Sequence, residues 1–201
     1  FKEKVRAGQM IVEGGAWVEP DTNLTSGESL IRQFIHGKRF FREEFGVDST
    51  FFWEPDVFGY SGALPQILRG CGMQHFGTQK IFWAYNGGDP FPYNEFIWEG
   101  IDGSEVIAHI FHGYGYETSP AHLVDAWRNR AQQSDTAALM LPFGWGDGGG
   151  GPTREHVEFA RRARDLEGAP RVRMTAPGAF FEALEARGGP KRRYVGEIYF
   201  Q

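Results

Sequence analysis

The stretch TFFWEPDVFGYSGALPQIL, residues 50–68, passes from a β-branched and aromatic segment, Thr50 to Trp53, through an acidic turn with glycines, into a helix candidate near Gly62-Ala63-Leu64-Pro65. Strand, turn and helix in that order predict one unit of an α/β fold. Asp56 stands where the strand gives way to the turn. A carboxylate at the C-terminal end of such a strand projects into a barrel mouth or sheet crevice, where charge meets a substrate or a metal.

Outward from this unit the same order recurs. Met10 to Val12 and Trp17-Val18 read as extended. Ser26 caps a predicted helix running through Phe45, with Leu30, Phe34 and Phe41 at helical spacing and Gly46 after its end. Leu64 to Leu68 before Gly70 is a short helix. His75 to Thr78, Phe96 to Trp98 and Val106 to Phe111 are strands. A helix over Ala121 to Gln133 precedes an apolar strand, Thr136 to Phe143, of the kind buried on both faces. Thr153 starts a helix to Leu166, and Arg171 to Met174 and Pro177 to Ala186 supply one more strand and helix. The pattern is α/β, with parallel strands and outer helices.

The composition of the 201 residues, 41% hydrophobic and 15% aromatic, is that of a globular protein with room for one or two domains. A net charge of -5, with Lys and Arg scattered among acids, gives no basic stripe and excludes nucleic acid as a partner. The single Cys71 excludes an internal disulfide framework, fits a reducing compartment and reads as a small buried hydrophobe. No run of about eighteen apolar residues spans a bilayer, and no signal-peptide core is present, so the default location is cytoplasmic.

A second strand-to-helix junction, LPFGWGDGGGGPT at residues 141–153, also carries an aspartate, Asp147. Its Gly144, Gly146 and Gly149 match a dinucleotide-binding pattern, but Asp147 would direct negative charge at the phosphates, and Asp165 and Glu167 fall in a helix, not at a second strand's end. Two readings remain: a flexible turn with Asp147 solvated and Thr153 capping the helix, or a loop stripped of side chains so that a bulky ligand such as a sugar ring approaches Asp147. Two carboxylates at two strand ends are what a retaining glycosidase requires, one attacking the anomeric carbon and the other protonating the leaving oxygen. On residue type alone, the alternative is that both cap turns or face water.

Four stretches, residues 53–68 (WEPDVFGYSGALPQIL), 76–83 (FGTQKIFW), 96–110 (FIWEGIDGSEVIAHI) and 141–153, resemble the class II α-mannosidases of glycoside hydrolase family 38, nearest the cytosolic and bacterial branch. The resemblance runs from Gly14 to Tyr199 and places residues 1–201 within the N-terminal catalytic domain of that family. It implies an irregular β/α barrel of parallel strands with outer helices, of which this chain is an incomplete portion, and a retaining α-mannosidase acting through a covalent glycosyl-enzyme intermediate with one zinc ion. It further implies that Asp56 is both nucleophile and zinc ligand, that Asp147 falls in the acid/base region, that Phe58 forms an aromatic wall for the sugar and that Lys80 is a cation beside the nucleophile. Tyr116 and Glu117 are assigned to the pocket lining by looser alignment. An oligosaccharide or mannoside is the implied substrate, and unpaired strand edges admit a homo-oligomer.

The family's His-x-Asp zinc pair and its further His ligand match no residues here, so the chain itself is expected to be metal-free and inactive while the full-length parent is active. The stretch Tyr194 to Gln201 reads as one extended segment without a partner, as much a protease-tag remnant as family sequence. His36, His75, His109, His112, His122 and His156 show no metal-site spacing; His109 and His112 read as satisfied or solvent-facing and His156 as a surface residue. Trp83 and Trp127 read as core, Glu19, Asp21 and Asp102 as turn caps, and Arg161, Arg162 and Arg164 as a basic helix face paired with Glu155, Glu158 and Asp165. Two other functions are weighed: a metal-dependent deacetylase or similar barrel hydrolase, and a glycan-binding module without turnover.

Overall fold

The structure, a computed structural model, describes residues 1–83, 89–136 and 138–199. Its helices are α1 (Lys2–Arg6), α2 (Gly27–Phe45), α3 (Leu64–Gly70), α4 (Pro120–Arg128), α5 (Arg154–Arg162) and α6 (Pro177–Glu185). Its strands are β1 (Phe51–Trp53), β2 (Gly59–Tyr60), β3 (His75–Thr78), β4 (Glu95–Glu99), β5 (Glu105–Ile110), β6 (Arg193–Val195) and β7 (Ile198–Tyr199), with short 3-10 turns at Lys80–Phe82 and Ala163–Asp165.

The main sheet has the order β1-β3-β5-β4-β6, and β2 pairs with β7 in a separate antiparallel ribbon. β1, β3 and β5 are parallel neighbours, β4 runs antiparallel to β5, and β6 is parallel to β4. The expected α/β class with a mostly parallel sheet is therefore present, whereas among the described residues the sheet is open and closes into no barrel. The reversal at β4 has a local cause. β4 and β5 are joined by the tight turn Gly100 to Ser104, held by Asp102 Oδ1 accepting from the Ser104 N–H at 3.0 Å, and a connection that short permits only an antiparallel pair.

Both faces of the sheet are covered, which explains the unbroken hydrophobic run at β1. Alternation sends Phe52 to one face and Phe51 to the other. Phe52 packs with Phe76, Trp98, Ala108, Leu30, Phe34, Leu64 and Leu68, under α2 and α3; Phe51 packs with Phe111, Met140, Phe180, Phe181 and Leu184, under α6. α2 is capped as the sequence predicts: Ser26 accepts from the Ser29 N–H at 3.3 Å, and Gly46 ends the helix at φ 71°. Among the described residues no helix is long and apolar enough to cross a membrane.

Several expected elements differ. Met10 to Val12 and Trp17-Val18 form no strand, apart from one bridge from Gly14 to Phe52. The Trp17 and Val18 hydrogen bonds go to α2 instead, the Trp17 N–H to the Gln33 carbonyl at 3.1 Å and the Val18 N–H to Gln33 Oε1 at 3.0 Å. The helix expected to Gln133 stops at Arg128, because the Arg130 guanidinium takes the Trp127 carbonyl and the Gln133 amide takes that of Arg128. The strand expected over Thr136 to Phe143 is absent among its described residues, Ala137 lying outside them. Pro142 has no N–H for a ladder, and the Met140 N–H is spent on the His109 ring. Arg171 to Met174 is irregular, with Arg171 paired to Asp165 at the surface. The segment from Tyr194 has two partners, not none: it divides at Gly196 (φ 97°) into β6, bound to β4, and β7, bound to β2. Phe200 and Gln201 lie outside the described residues. Cys71 is half-buried at the edge of the core.

Gly37 shows how tightly the first loop sits on α2. A Cβ there would fall 2.3 Å from the Gly15 carbonyl oxygen and 2.5 Å from the Ala16 carbonyl carbon, both backbone atoms that have no rotamer to escape into. Helix propensity alone would make Gly37→Ala stabilising by about 1 kcal/mol. Overpacking wins, so Gly37→Ala is expected to lose about 1–3 kcal/mol in urea denaturation; a gain in stability would contradict this packing.

Candidate active site

In a parallel pair both strands point the same way, so the residues following β1, β3 and β5 emerge at one edge of the sheet. Asp56 follows β1, Lys80 follows β3 and Tyr114 follows β5, and the three side chains meet. Lys80 Nζ lies 2.6 Å from Asp56 Oδ1, the Tyr114 hydroxyl is 3.4 Å from the same oxygen, and Lys80 Nζ is 3.5 Å from that hydroxyl.

The turn carrying Asp56 is set by its sequence. The β1–β3 ladder continues one residue past the strand, the Glu54 N–H donating to the Gly77 carbonyl at 3.0 Å, and then stops at Pro55, which has no donor. The Asp56 N–H is taken by Glu19 Oε1 at 3.0 Å. Glu19 thus reaches across the chain to the site, a larger role than the turn cap expected of it; Asp21 does cap a turn, accepting from the Asn23 and Leu24 N–H groups. Beneath, the buried Tyr60 hydroxyl ties the turn down through the Glu54 carbonyl at 2.9 Å and the Val57 carbonyl at 3.1 Å, with Thr78 as its third partner.

Lys80 is 5% exposed and boxed by aromatic rings. Its Nζ lies 3.5 Å from the Trp83 centroid, 5.4 Å from that of Tyr114 and 5.8 Å from that of Phe58, distances at which ring quadrupoles attract a cation. Burial pulls the Lys80 ammonium down, but the hydrogen bond and charge of Asp56, aided by Tyr114, outweigh it and hold the ammonium above its ordinary value. Trp83, expected in the core, is half-buried against this ammonium; the fully buried tryptophan is Trp98.

Asp147 sits at the exposed tip of the glycine loop in a left-handed conformation, φ 56°, unusual for a residue with a Cβ. The Trp145 N–H donates to the Gly151 carbonyl at 2.9 Å, with a return bond closing the loop's neck. The glycines divide in purpose. Gly144 and Gly150 let the loop fold on itself, since a Cβ on either would lie within 2.6 Å of Pro152 N or Trp145 Cβ, while Gly148, Gly149 and Gly151 face open space. Tyr114 links the two aspartates' surroundings: its hydroxyl approaches Asp56, and a Cβ on Gly146 would lie 3.7 Å from its ring.

Among the residues expected at the site, Asp56, Lys80 and Phe58 are brought together. Asp147 lies on the glycine loop whose Gly146 borders the Tyr114 ring. Tyr116 stands aside, its ring over Gly113 and its backbone paired with Phe143; burial, reinforced by Asp125, pushes its phenol up to about 12. Glu117 is turned away to His122, 3.2 Å from Nδ1. Tyr114, which the sequence does not single out, is the residue after β5 whose side chain touches both Asp56 and Lys80. His156 is not at the surface: it is buried, and its Nδ1 accepts the Thr153 N–H at 3.0 Å to cap α5.

Among the described residues no group of three or more His, Cys, Asp or Glu could hold a metal ion. Both Asp56 side-chain contacts fall on Oδ1, with a lysine and a phenol, neither a zinc ligand here. The described residues therefore do not fit a catalytic zinc centre, which takes about three protein ligands.

The family model for the glycosyl hydrolases family 38 N-terminal domain matches residues 1–197. The chain is 43% identical to mouse alpha-mannosidase 2C1 over 96% of its length, 45% identical to Dictyostelium discoideum alpha-mannosidase G over 100%, and 41% identical to the Saccharomyces cerevisiae alpha-mannosidase over 98%. It spans only 18–19% of the length of these relatives. In fold it is similar to the crystal structure of an alpha-mannosidase from Enterococcus faecalis V583, with a TM-score of 0.77 at 20% identity, covering 98% of this chain and 23% of that one.

Glu54, two residues before Asp56, is 0% exposed, and among the described residues neither carboxylate oxygen has a hydrogen-bond partner. Burial, with the charges of Glu19 and Asp21, raises its pKa from 4.5 to about 9. A raised folded value means stability fully present below pH 4.5 and lost as pH rises towards 9, because the unfolded chain releases this proton first. Glu54→Gln is therefore expected to stabilise the protein by on the order of 1–3 kcal/mol more at pH 8 than at pH 5, measured by urea denaturation; an equal effect at both would contradict the assignment.

Proposed function

The chain belongs to glycoside hydrolase family 38, as part of its N-terminal domain, and from that premise we propose that the whole protein is a retaining α-mannosidase whose nucleophile is Asp56. The single observation that carries this is the Asp56 carboxylate held at 2.6 Å by a buried lysine, on a half-exposed strand end where a sugar can reach it. Family membership removes the deacetylase reading.

The reaction follows from the arrangement. With Oδ1 engaged by Lys80 and Tyr114, the second carboxylate oxygen attacks C1 of the mannoside. The glycosidic C–O bond breaks, and its electron pair leaves with the aglycone oxygen, which takes a proton from Asp147. Water then adds to C1 as its proton returns to Asp147, the Asp56–C1 bond breaks, and mannose departs with its configuration retained. Lys80 supplies a fixed positive charge beside the carboxylate in both steps, and Phe58, half-exposed beside it, forms a wall for the sugar. Asp147 is supported by its place on an exposed loop that Tyr114 joins to Asp56, and by the local match to the family's acid/base region. Tyr116 and Glu117 stand apart from the pair of Asp56 and Lys80 and take no part in these steps.

Zinc, when bound by the whole protein, would orient sugar hydroxyls and stabilise developing charge. Asp56 would supply one ligand, the others coming from outside the groups described, and no step above runs through the metal. We extend the proposal to the architecture: the parallel strands β1, β3 and β5 form part of an irregular β/α barrel completed by the rest of the protein. A cytoplasmic setting and glycan-derived oligosaccharides as substrates complete the reading; pairing of copies through open sheet edges would make a homo-oligomer.

The whole protein is expected to hydrolyse an aryl α-mannoside with retention, and a fluorinated mannosyl trapping reagent to leave its adduct on Asp56. Asp56→Ala should abolish the adduct and lower kcat/KM by at least about 10³-fold. An adduct on another residue would overturn the assignment.

A further inference from the structure

The reactive end of Lys80 is held by Asp56, but its backbone is not part of any strand. It sits on a single 3-10 turn, Lys80–Phe82, whose own hydrogen bonds are few: the Trp83 N–H to the Lys80 carbonyl at 2.9 Å and the Phe82 N–H to the Gln79 carbonyl at 3.5 Å. Such a turn needs outside support to hold a side chain to hydrogen-bond precision. We propose that Asn94 and His112 are positioning residues that clamp this turn and so fix Lys80 against Asp56, a role that rests on reading that pair as the reaction centre.

Gln79, just before Lys80, and Phe82, two residues after it, both contact His112. On one side the buried Gln79 donates its side-chain N–H to the His112 carbonyl at 3.2 Å. On the other, the Phe82 ring stacks on the imidazole with centroids 4.2 Å apart and planes 8° apart. The imidazole is fixed in turn by Asn94, which is 0% exposed and lies 3.2 Å from His112 Nε2.

The hydrogen bonds of Asn94 decide its orientation and the tautomer of His112. Asn94 Oδ1 accepts the Gln132 N–H at 3.2 Å, and Nδ2 donates to the Ile110 carbonyl at 3.1 Å. The second Nδ2 hydrogen therefore faces His112, whose Nε2 accepts it, leaving the ring proton on Nδ1. Burial lowers the pKa of His112, in keeping with a neutral ring that can accept. Gln132 Oε1 accepts the Glu95 N–H at 3.3 Å, so the support is anchored on β4. Asn94 is thus fixed by the Gln132 N–H and the Ile110 carbonyl and turns its remaining amide hydrogen to the His112 ring, while His112 meets the Lys80 turn twice, its carbonyl at Gln79 and its ring at Phe82.

Trace acetylation of the chain, read lysine by lysine by mass spectrometry, tests this without any sugar. Lys38 is the internal control, being buried elsewhere with its Nζ on the Ser49 carbonyl at 2.8 Å. Asn94→Leu, which removes the amide, is expected to raise Lys80 labelling at least about 5-fold relative to Lys38 through local opening of the turn. His112→Phe, which keeps a ring for Phe82 but cannot accept from Asn94, should raise it in the same direction and by less. Unchanged Lys80 labelling in both variants overturns the proposal, and so does a parallel rise at Lys38, which would assign these residues to general stability. Should the whole protein turn over no mannoside, the mannosidase reading falls while the labelling result still decides the clamp.

Discussion

The contact on which the rest depends is the ion pair between Lys80 and Asp56. An ammonium removed from water is costly unless a counter-charge and hydrogen bonds replace its hydration. Lys80 is buried and receives that replacement from a carboxylate at 2.6 Å and three aromatic rings, whereas Asp56 keeps close to half of its side chain exposed, at 47%. The asymmetry suits the chemistry proposed for it. The charge that never changes is the one locked away; the group that must form and break a bond is the one left open to solvent.

Strand direction makes this contact possible. β1, β3 and β5 are parallel neighbours, so their C-terminal ends share an edge, and each contributes one side chain from the turn that follows. Residues 24 and 58 positions beyond Asp56 in the chain are brought to it by register, not by sequence proximity. Pro55 ends the β1 ladder at the point where Asp56 must depart from the sheet, and Glu19 and Tyr60 hold the departing turn from two sides. The glycine loop then approaches the same edge through Tyr114.

Much of this was legible in the sequence. Period-two and aromatic-rich segments located β1, β3, β4 and β5 to within a residue or two, and Ser26 and Gly46 bounded α2 because capping is a local property. Asp56 was legible from its place where the Thr50 to Trp53 strand meets the glycine turn, and Lys80 through the family resemblance carried by residues 76–83. What failed was non-local. Glu19 looked like a turn cap because nothing in its neighbourhood reveals a backbone N–H 37 residues away. Trp17-Val18 looked extended because the sequence does not show that Gly37 clears room for that loop to bond α2. Tyr114 was passed over for Tyr116, since the choice depends on where β5 ends and which way the chain leaves it. The burial of Glu54 beside the exposed Asp56 was equally invisible, because a glutamate reads as a surface residue by type even where strand alternation sets it on the buried face of Phe52.

The buried lysine depends on Asp56 more than Asp56 depends on it, and a double-mutant cycle of Asp56→Asn and Lys80→Met, read by urea denaturation, measures that asymmetry. Asp56→Asn strands a buried cation, while Lys80→Met leaves a solvated carboxylate, so the first should cost more stability than the second, with a coupling on the order of 1–2 kcal/mol once solvent screening of Asp56 is allowed for. Equal single-mutant costs with no coupling would mean that Asp56 does not hold the lysine in place.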